Sequence, residues 1–459
     1  MSCARRHGCP RLRHLAITAA LLTLAACATY RPAPLATAPN LRTRLANLDV
    51  DVSQLRLEPL RSVAIDPRSG LTPLDVAVLA VLNDPDLKSK RAALGVADAQ
   101  VFAAGLLPDP QVTANLDQPI AGPDTHTAYG VSPSYDLAGL LASITNRRAA
   151  RDSARQVRLD LLWAEWSAAQ QARGLAETAL ANESRAAFLS EILAAAADRS
   201  QRSQQALAHG DVTAQTAAAD LAAKLDVQAQ LDATRQAALK ARRDLNALLG
   251  LDASVSLPLI EAPTPAPADP AQMRRDLALL PTRRPDLLAL QAGYGAQDAK
   301  LRQAIVAQFP LTQIAVAYAR DPTPTTTVGL SAVLALPIFN GHRGDVKIAE
   351  ATREQLRADY QARLDQADAQ VKDAAATLVS AEAQASTLRA DLPRLEAMLG
   401  PAPAALARGD IDSQAYLGLL QAVINKRADL ADRELAARMA EITLETALFI
   451  PPLQTAHAS

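Results

Sequence analysis

Enzymatic chemistry needs a nucleophile, a base or a metal held by converging side chains, and this chain offers few candidates. Downstream of residue 27, His126, His209, His342 and His457 are isolated, with no partner at metal-ligand spacing. Neither a Gly-rich phosphate loop nor a nucleophile elbow occurs. The residues that invite a chemical reading are instead two matched Gly-Asp pairs, Gly210-Asp211 and Gly409-Asp410, with Asp412 close behind the second. Glycine permits the left-handed backbone of a tight turn, and a following Asp can accept free N–H groups at the start of a helix. Arg408-Gly409-Asp410 spells an adhesion tripeptide, but its twin His209-Gly210-Asp211 makes architecture the simpler explanation. The expectation is a protein that is not an enzyme and holds no metal.

Composition narrows the class. The 459 residues carry 47 Lys+Arg against 48 Asp+Glu, a net charge of −1, so no basic excess exists to bind nucleic acid. Hydrophobic residues are 49% and charged ones 21%, too apolar for a disordered chain. Aromatics at 3% and only 18 glycines argue for long helices packed through small side chains. Arg5, Arg6, Arg11 and Arg13 precede an apolar run, Leu15 to Ala26, long enough for a signal-peptide core and too short to span a bilayer. Leu24-Ala25-Ala26-Cys27 resembles a bacterial lipobox, in which Cys27 is acylated and becomes the first mature residue. A plain signal peptide with a chance cysteine is the alternative. Ala28 after Cys27 favours, by lipoprotein resemblance, the outer over the inner membrane. The only cofactor expected is covalent lipid on Cys27.

The chain is written twice. Asp84-Pro85-Asp86-Leu87 is echoed by Arg284-Pro285-Asp286-Leu287, Leu107-Pro108 by Phe309-Pro310, and 206–212 by 405–411, each pair about 200 residues apart. This divides the protein into a signal peptide (1–26), an anchored extended segment (27–70), a first repeat (71–257), a Pro-rich linker (258–280), a second repeat (281–450) and a tail (451–459). Pro258, Pro263, Pro265, Pro267 and Pro270 make the linker extended.

Each copy reads helix, strand pair, helix, turn, helix. A helix from Leu74 to Leu106 contains Pro85. Strands of alternating pattern come next at 111–117 and 126–136, and in the second copy at 311–320 and 327–338. Tyr129, Val131 and Tyr135 share one face, as do Ile314, Val316 and Tyr318, and Val328, Leu330, Ala332, Leu334 and Leu336. Small or polar residues occupy the other. This suits membrane β-strands, but half-buried strands of a soluble sheet alternate identically. A helix from about Leu140 to Ala208 would run roughly 100 Å, which suits a coiled coil or a wall of helices, or a solvated stalk. Its second-copy counterpart, Gly341 to Ala407, contains Pro393, Pro401 and Pro403, so a kink or 3₁₀ segment is expected there. If the strands lie in a membrane, four of them leave unpaired edges in hydrocarbon, and only further copies of the chain can seal these.

In this order the landmarks, above all Leu336-Pro337-Ile338-Phe339-Asn340-Gly341, resemble the outer membrane factor family, the TolC-like channels of tripartite efflux pumps. The resemblance implies a mainly α fold with a small membrane β part: a trimeric 12-stranded barrel continued by a long α-helical barrel through the periplasm. It implies a homotrimer in the outer membrane, partnered by a periplasmic adaptor and an inner-membrane pump, acting as a passive exit duct. Leu106-Leu107-Pro108-Asp109-Pro110 faintly resembles the heavy-metal-exporting branch. Gly210, Asp211, Gly409 and Asp410 would lie at the periplasmic tip, as turns or adaptor contacts. Family channels often narrow this end with acidic rings, yet Thr213, Gln215, Thr216, Gln414, Ala415 and Gly418 here are not acidic. Asp211, Asp410 and Asp412 remain as carboxylates that threefold symmetry could cluster, which would raise their pKa values and favour cations. Two rivals stand beside this reading. A periplasmic coiled-coil lipoprotein tether leaves the two strand pairs unexplained, and a pump adaptor would carry one helical hairpin rather than two.

Overall fold

The computed structural model describes residues 30–450, apart from 62, 64, 66–69, 122–125, 262–269, 309–310 and 324. The expected signal peptide, Cys27, Pro263, Pro265 and Pro267 of the linker, the Phe309-Pro310 landmark and the 451–459 tail lie outside the described residues. Residues 30–41 form a unit of their own without helix or strand, exposed throughout. Every described helix and strand belongs to the larger unit, which begins at Arg42.

Two short helices open that larger unit, α1 (Pro73–Asn83) and α2 (Pro85–Ala104). They replace the single helix expected across Pro85. A residue before proline is driven out of the α region, and Asp84 sits at ψ 122°, ending α1 while its side chain accepts from the Asp86 N–H and starts α2. Thr72 and Asp75 close a reciprocal capping box at the start of α1. α1 is buried on every side, from Val76 to Leu82. Around it pack Leu48, Leu55, Leu57 and Leu60, the Ala172–Ala176 turn of a long helix, and Leu245, Leu249, Leu251 and Leu257. The segment carrying Leu48 to Leu60 was expected to be extended. It instead forms 3₁₀ turns at Leu45–Asn47, Val52–Gln54 and Glu58–Leu60, tied down by Asn83, which exchanges hydrogen bonds with the Asp49 backbone.

Strands β1 (Gln111–Asp117) and β2 (Ala128–Asp136) lead into α3 (Leu137–His209), 73 residues or about 110 Å of helix. Asp136 caps α3 without any intervening loop. After a turn, α4 (Ala214–Leu248) returns along it. The Pro-rich linker is not extended throughout, since Pro270–Ala278 forms helix α5, followed by α6 (Leu280–Arg283). Proline is compatible with a helix's first turn, where its missing N–H has no intrahelical partner. The second repeat then gives α7 (Pro285–Val306), β3 (Leu311–Arg320), β4 (Thr326–Leu334), α8 (Arg343–Leu399), α9 (Ala402–Arg408) and α10 (Ser413–Leu448).

Two further expectations are corrected. α8 continues through Pro393, an exposed residue of the helix. The break comes at Gly400, where Pro401 and Pro403 together remove two ladder donors within one turn. β4 ends at Leu334 rather than at 338, because Leu334 already pairs with Leu311, the first residue of β3. For the same reason β2 begins at Ala128, opposite the last residue of β1, Asp117, rather than at 126.

Candidate functional site

The four strands form one antiparallel sheet in chain order, β1-β2-β3-β4. Its register carries each strand's alternation across the whole sheet. Ala114, Val131, Tyr318 and Val328 make one cross-strand row, and Asn115, Gly130, Ala319 and Thr327 make the neighbouring row on the opposite face. One face is therefore apolar and the other small or polar. A Cβ on Gly130 would collide with Asn115, so glycine allows the small face to close up. The apolar face is uncovered: Leu116 is 75% exposed, Val328 72% and Leu330 82%. A sheet of a water-soluble protein buries such a face. Among the described residues, the outer edges of β1 and β4 have no strand beside them. No described helix is long and apolar enough to cross a membrane.

At the far end of α3 lies the first of the paired turns. Gly210 takes φ +81° and Gly409 φ +80°, and in each turn the next Asp donates its backbone N–H back into the helix, Asp211 to Ala206 O and Asp410 to Ala405 O. These are matching left-handed helix caps. The Asp side chains do something other than expected. The cap of α4 is Thr213, whose Oγ1 accepts from Thr216 N–H at 3.2 Å, and that of α10 is Asp412, which accepts from Ala415 N–H at 2.7 Å. Both caps stand three residues after their glycine, a repeat-equivalent position, so comparing the copies would have found them. Asp410 pairs with Arg408 at 2.8 Å, and Asp211, Asp410 and Asp412 are all exposed.

A stitch that sequence reasoning missed brings the two turns to one end of the molecule. Arg199, some ten residues before Gly210, binds Asp220 of α4 at 2.6 Å and stacks 4.7 Å from the ring of Tyr416, in the first turn of α10. Leu189, Val227, Leu231, Leu420 and Ile424 continue this contact as a small apolar core. A second stitch explains the Arg284-Pro285-Asp286-Leu287 landmark. Arg284 is fully buried, forks onto Asp286 at 2.8 and 3.1 Å, donates to the Ala447 carbonyl and lies 4.5 Å over Trp163. Arg363 of α8 shares Asp286 at 2.6 Å. Burial and the nearby Asp286 charge push the Asp160 carboxyl upward. This knot joins the start of α7 to α3, α8 and the end of α10. Its first-copy counterpart at position 84 is the helix-capping Asp, so only the second repeat carries it.

Among the described residues no group of three or more His, Cys, Asp and Glu is placed to hold a metal. Among the described residues the arrangement offers an apolar band with two open edges at one end of α3, and a pair of polar turns at the other.

No family model and no curated protein matches the chain. Solved structures do. The outer-membrane channel OprN is similar over 91% of this chain and 98% of its own, with a TM-score of 0.69 and 16% identity. The Campylobacter jejuni CmeC outer membrane channel aligns over 89% of this chain and 94% of its own, with a TM-score of 0.69 and 16% identity. CusC, described through its transmembrane channel formation, aligns over 85% and 95%, with a TM-score of 0.67 and 18% identity. The fold is that of these outer-membrane channels.

Proposed function

We propose that this chain, having the fold of outer-membrane channels, is one subunit of a homotrimeric exit duct. The duct sits in the outer membrane and extends into the periplasm. The carrying observation is the four-stranded sheet with an uncovered apolar face and two unpaired edges. Unpaired backbone groups are not tolerated in hydrocarbon, so sister copies must close the sheet. Two copies supply eight strands, whose side chains fill the interior; four strands from each of three copies make twelve, enough for a pore. The similarity to OprN, CmeC and CusC supports this reading.

In this duct the helices continue the barrel through the periplasm, and cargo crosses passively. Selection and energy come from an inner-membrane pump, joined through a periplasmic adaptor that meets the turns at Gly210-Asp211 and Gly409-Asp410. Cys27 carries the lipid that holds the chain's start to the outer-membrane leaflet. The decisive test is fractionation of cells expressing the full chain. The duct reading requires outer-membrane recovery, an oligomer of three in unheated detergent gels, and ion conductance in a planar bilayer. A monomer that extracts with the soluble periplasmic fraction would overturn it in favour of a tether. Deleting the gene and growing cells against divalent metals, dyes, detergents and antibiotics then identifies the cargo.

A further inference from the structure

The two repeats meet between α3 and α7, and again along a seam between α3 and α10. The helices pack closely at Gly174, where an added Cβ would stand 3.0 Å from the Met439 methyl. Ion pairs cross the seam on either side: Arg173 to Glu445, and Arg438 to Glu177 at 2.8 Å. Both guanidiniums are thereby engaged, and Arg438 also faces Glu261 and Glu434. Between them on α10 sits Glu441, half-buried, for which no hydrogen bond or ion pair is present among the described residues. It faces Arg173 and Glu177 of α3, Glu382 of α8 and Glu445 of its own helix. Arg242 of α4 is held elsewhere, by Glu183 and the Leu257 carbonyl. The cluster thus has four carboxylates for two guanidiniums, which leaves over the exposed Glu382 and the half-buried Glu441.

We infer that the α3–α10 seam is a pH-responsive joint between the two repeats, closed while Glu441 carries a proton and loosened when that carboxyl ionises. An ionised Glu441 would be a half-buried charge beside three others of its sign, whereas the neutral acid is only a polar group to be accommodated. Consistent with this, burial first and then Glu445 raise its carboxyl to about 7. A folded-state value above the ordinary 4.5 means that the closed seam binds the proton more tightly than the open one. The stabilisation is fully present below the ordinary value and disappears as pH rises through about 7. In the duct proposed above, the seam joins the α3–α4 hairpin to the α8–α10 hairpin, so acidity would stiffen the wall. That consequence rests on the duct reading; the joint itself does not.

The test uses the full chain purified in detergent. Its readouts are Tm and amide exchange of residues 170–180 and 437–447, corrected for the intrinsic pH dependence of exchange. From about pH 5.5 to about pH 8, the wild type should lose several degrees of Tm and about threefold or more in protection of both segments. Glu441→Gln should hold both readouts level. Glu382→Gln, which removes one repelling charge, should move the transition to lower pH. The inference is overturned by a Glu441→Gln protein that keeps the wild-type pH dependence, or by a Glu382→Gln midpoint that does not move; should Glu441→Gln fail to fold, Glu382→Gln alone decides. None of these readouts needs a pore, so failure of the duct reading would leave them intact.

Discussion

Gly210 and Gly409 are favoured for their backbone conformation and not for the space they leave. A Cβ at either position meets nothing within 4 Å, so the cost of substitution lies wholly in the left-handed backbone. Gly210→Ala and Gly409→Ala should each destabilise by about 1 kcal/mol, read as a lower Tm. Asp412→Ala should cost about 1 kcal/mol through the lost cap on α10, whereas Asp410→Ala removes only an exposed ion pair and should change Tm little. Their electrical role is separable. If Asp410 and Asp412 gather at a threefold mouth, Asp410→Asn and Asp412→Asn channels should lose cation selectivity in a planar bilayer; unchanged selectivity would remove that role. The buried knot behaves differently. Asp286→Ala leaves Arg284 charged and largely unpaired in the interior, and should cost about 3–5 kcal/mol or prevent folding, seen as loss of soluble detergent-extracted protein.

Elements impose a sidedness that no single residue carries. Along β4, Val328 and Leu330 project from the apolar face and Gly329 from the other, where an added Cβ would meet nothing within 4 Å. Leu330→Arg should therefore abolish the heat-sensitive oligomer, since a cation on the lipid side costs about 2–4 kcal/mol at mid-bilayer depth. Gly329→Ser, on the opposite face, should assemble normally. A soluble stacked sheet predicts instead that Leu330→Arg unfolds the chain without regard to membrane insertion. The helical elements show a comparable division. α3 packs through Ala168, Ala169, Ala172, Ala176 and Ala179, small side chains that bring neighbouring helices close over a long contact.

At the scale of the whole chain, duplication and asymmetry work together. Matching turns, caps and strand pairs give both repeats one plan, and from it come one continuous sheet and one end with two turns. The Arg284 knot and the Gly400 break belong to the second repeat alone, and the knot ties α7, α3, α8 and α10 into a joint that the first repeat lacks. Three copies should migrate as one species in unheated gels and dissociate on boiling, the sheet edges of β1 and β4 being the seams. Cysteines introduced at Thr113 of β1 and at Ser331 of β4 should therefore crosslink between chains and not within one, because β2 and β3 lie between them in the same sheet.

The strand pairs were legible because side-chain alternation has a period of two whatever surrounds it, and the turns because glycine and its neighbours recur at one spacing. Strand ends were not, since β2 starts and β4 stops where a partner strand does, a fact stored in the partner. Pro85 misled as a passenger inside a helix, and Pro393 as a breaker of one. The outcome turned on the unseen neighbourhood: Asp84 capping a new helix in one case, an exposed helix position in the other. The Arg199 stitch and the ion pairs of the acidic seam join residues 21 to 272 positions apart, and Arg284 reaches the Ala447 carbonyl 163 positions away. Local pattern and repetition therefore set the list of elements and their faces. Only the packed chain decided which charges met, because a Coulomb or hydrogen-bond partner is chosen by distance in space, which no spacing in sequence encodes.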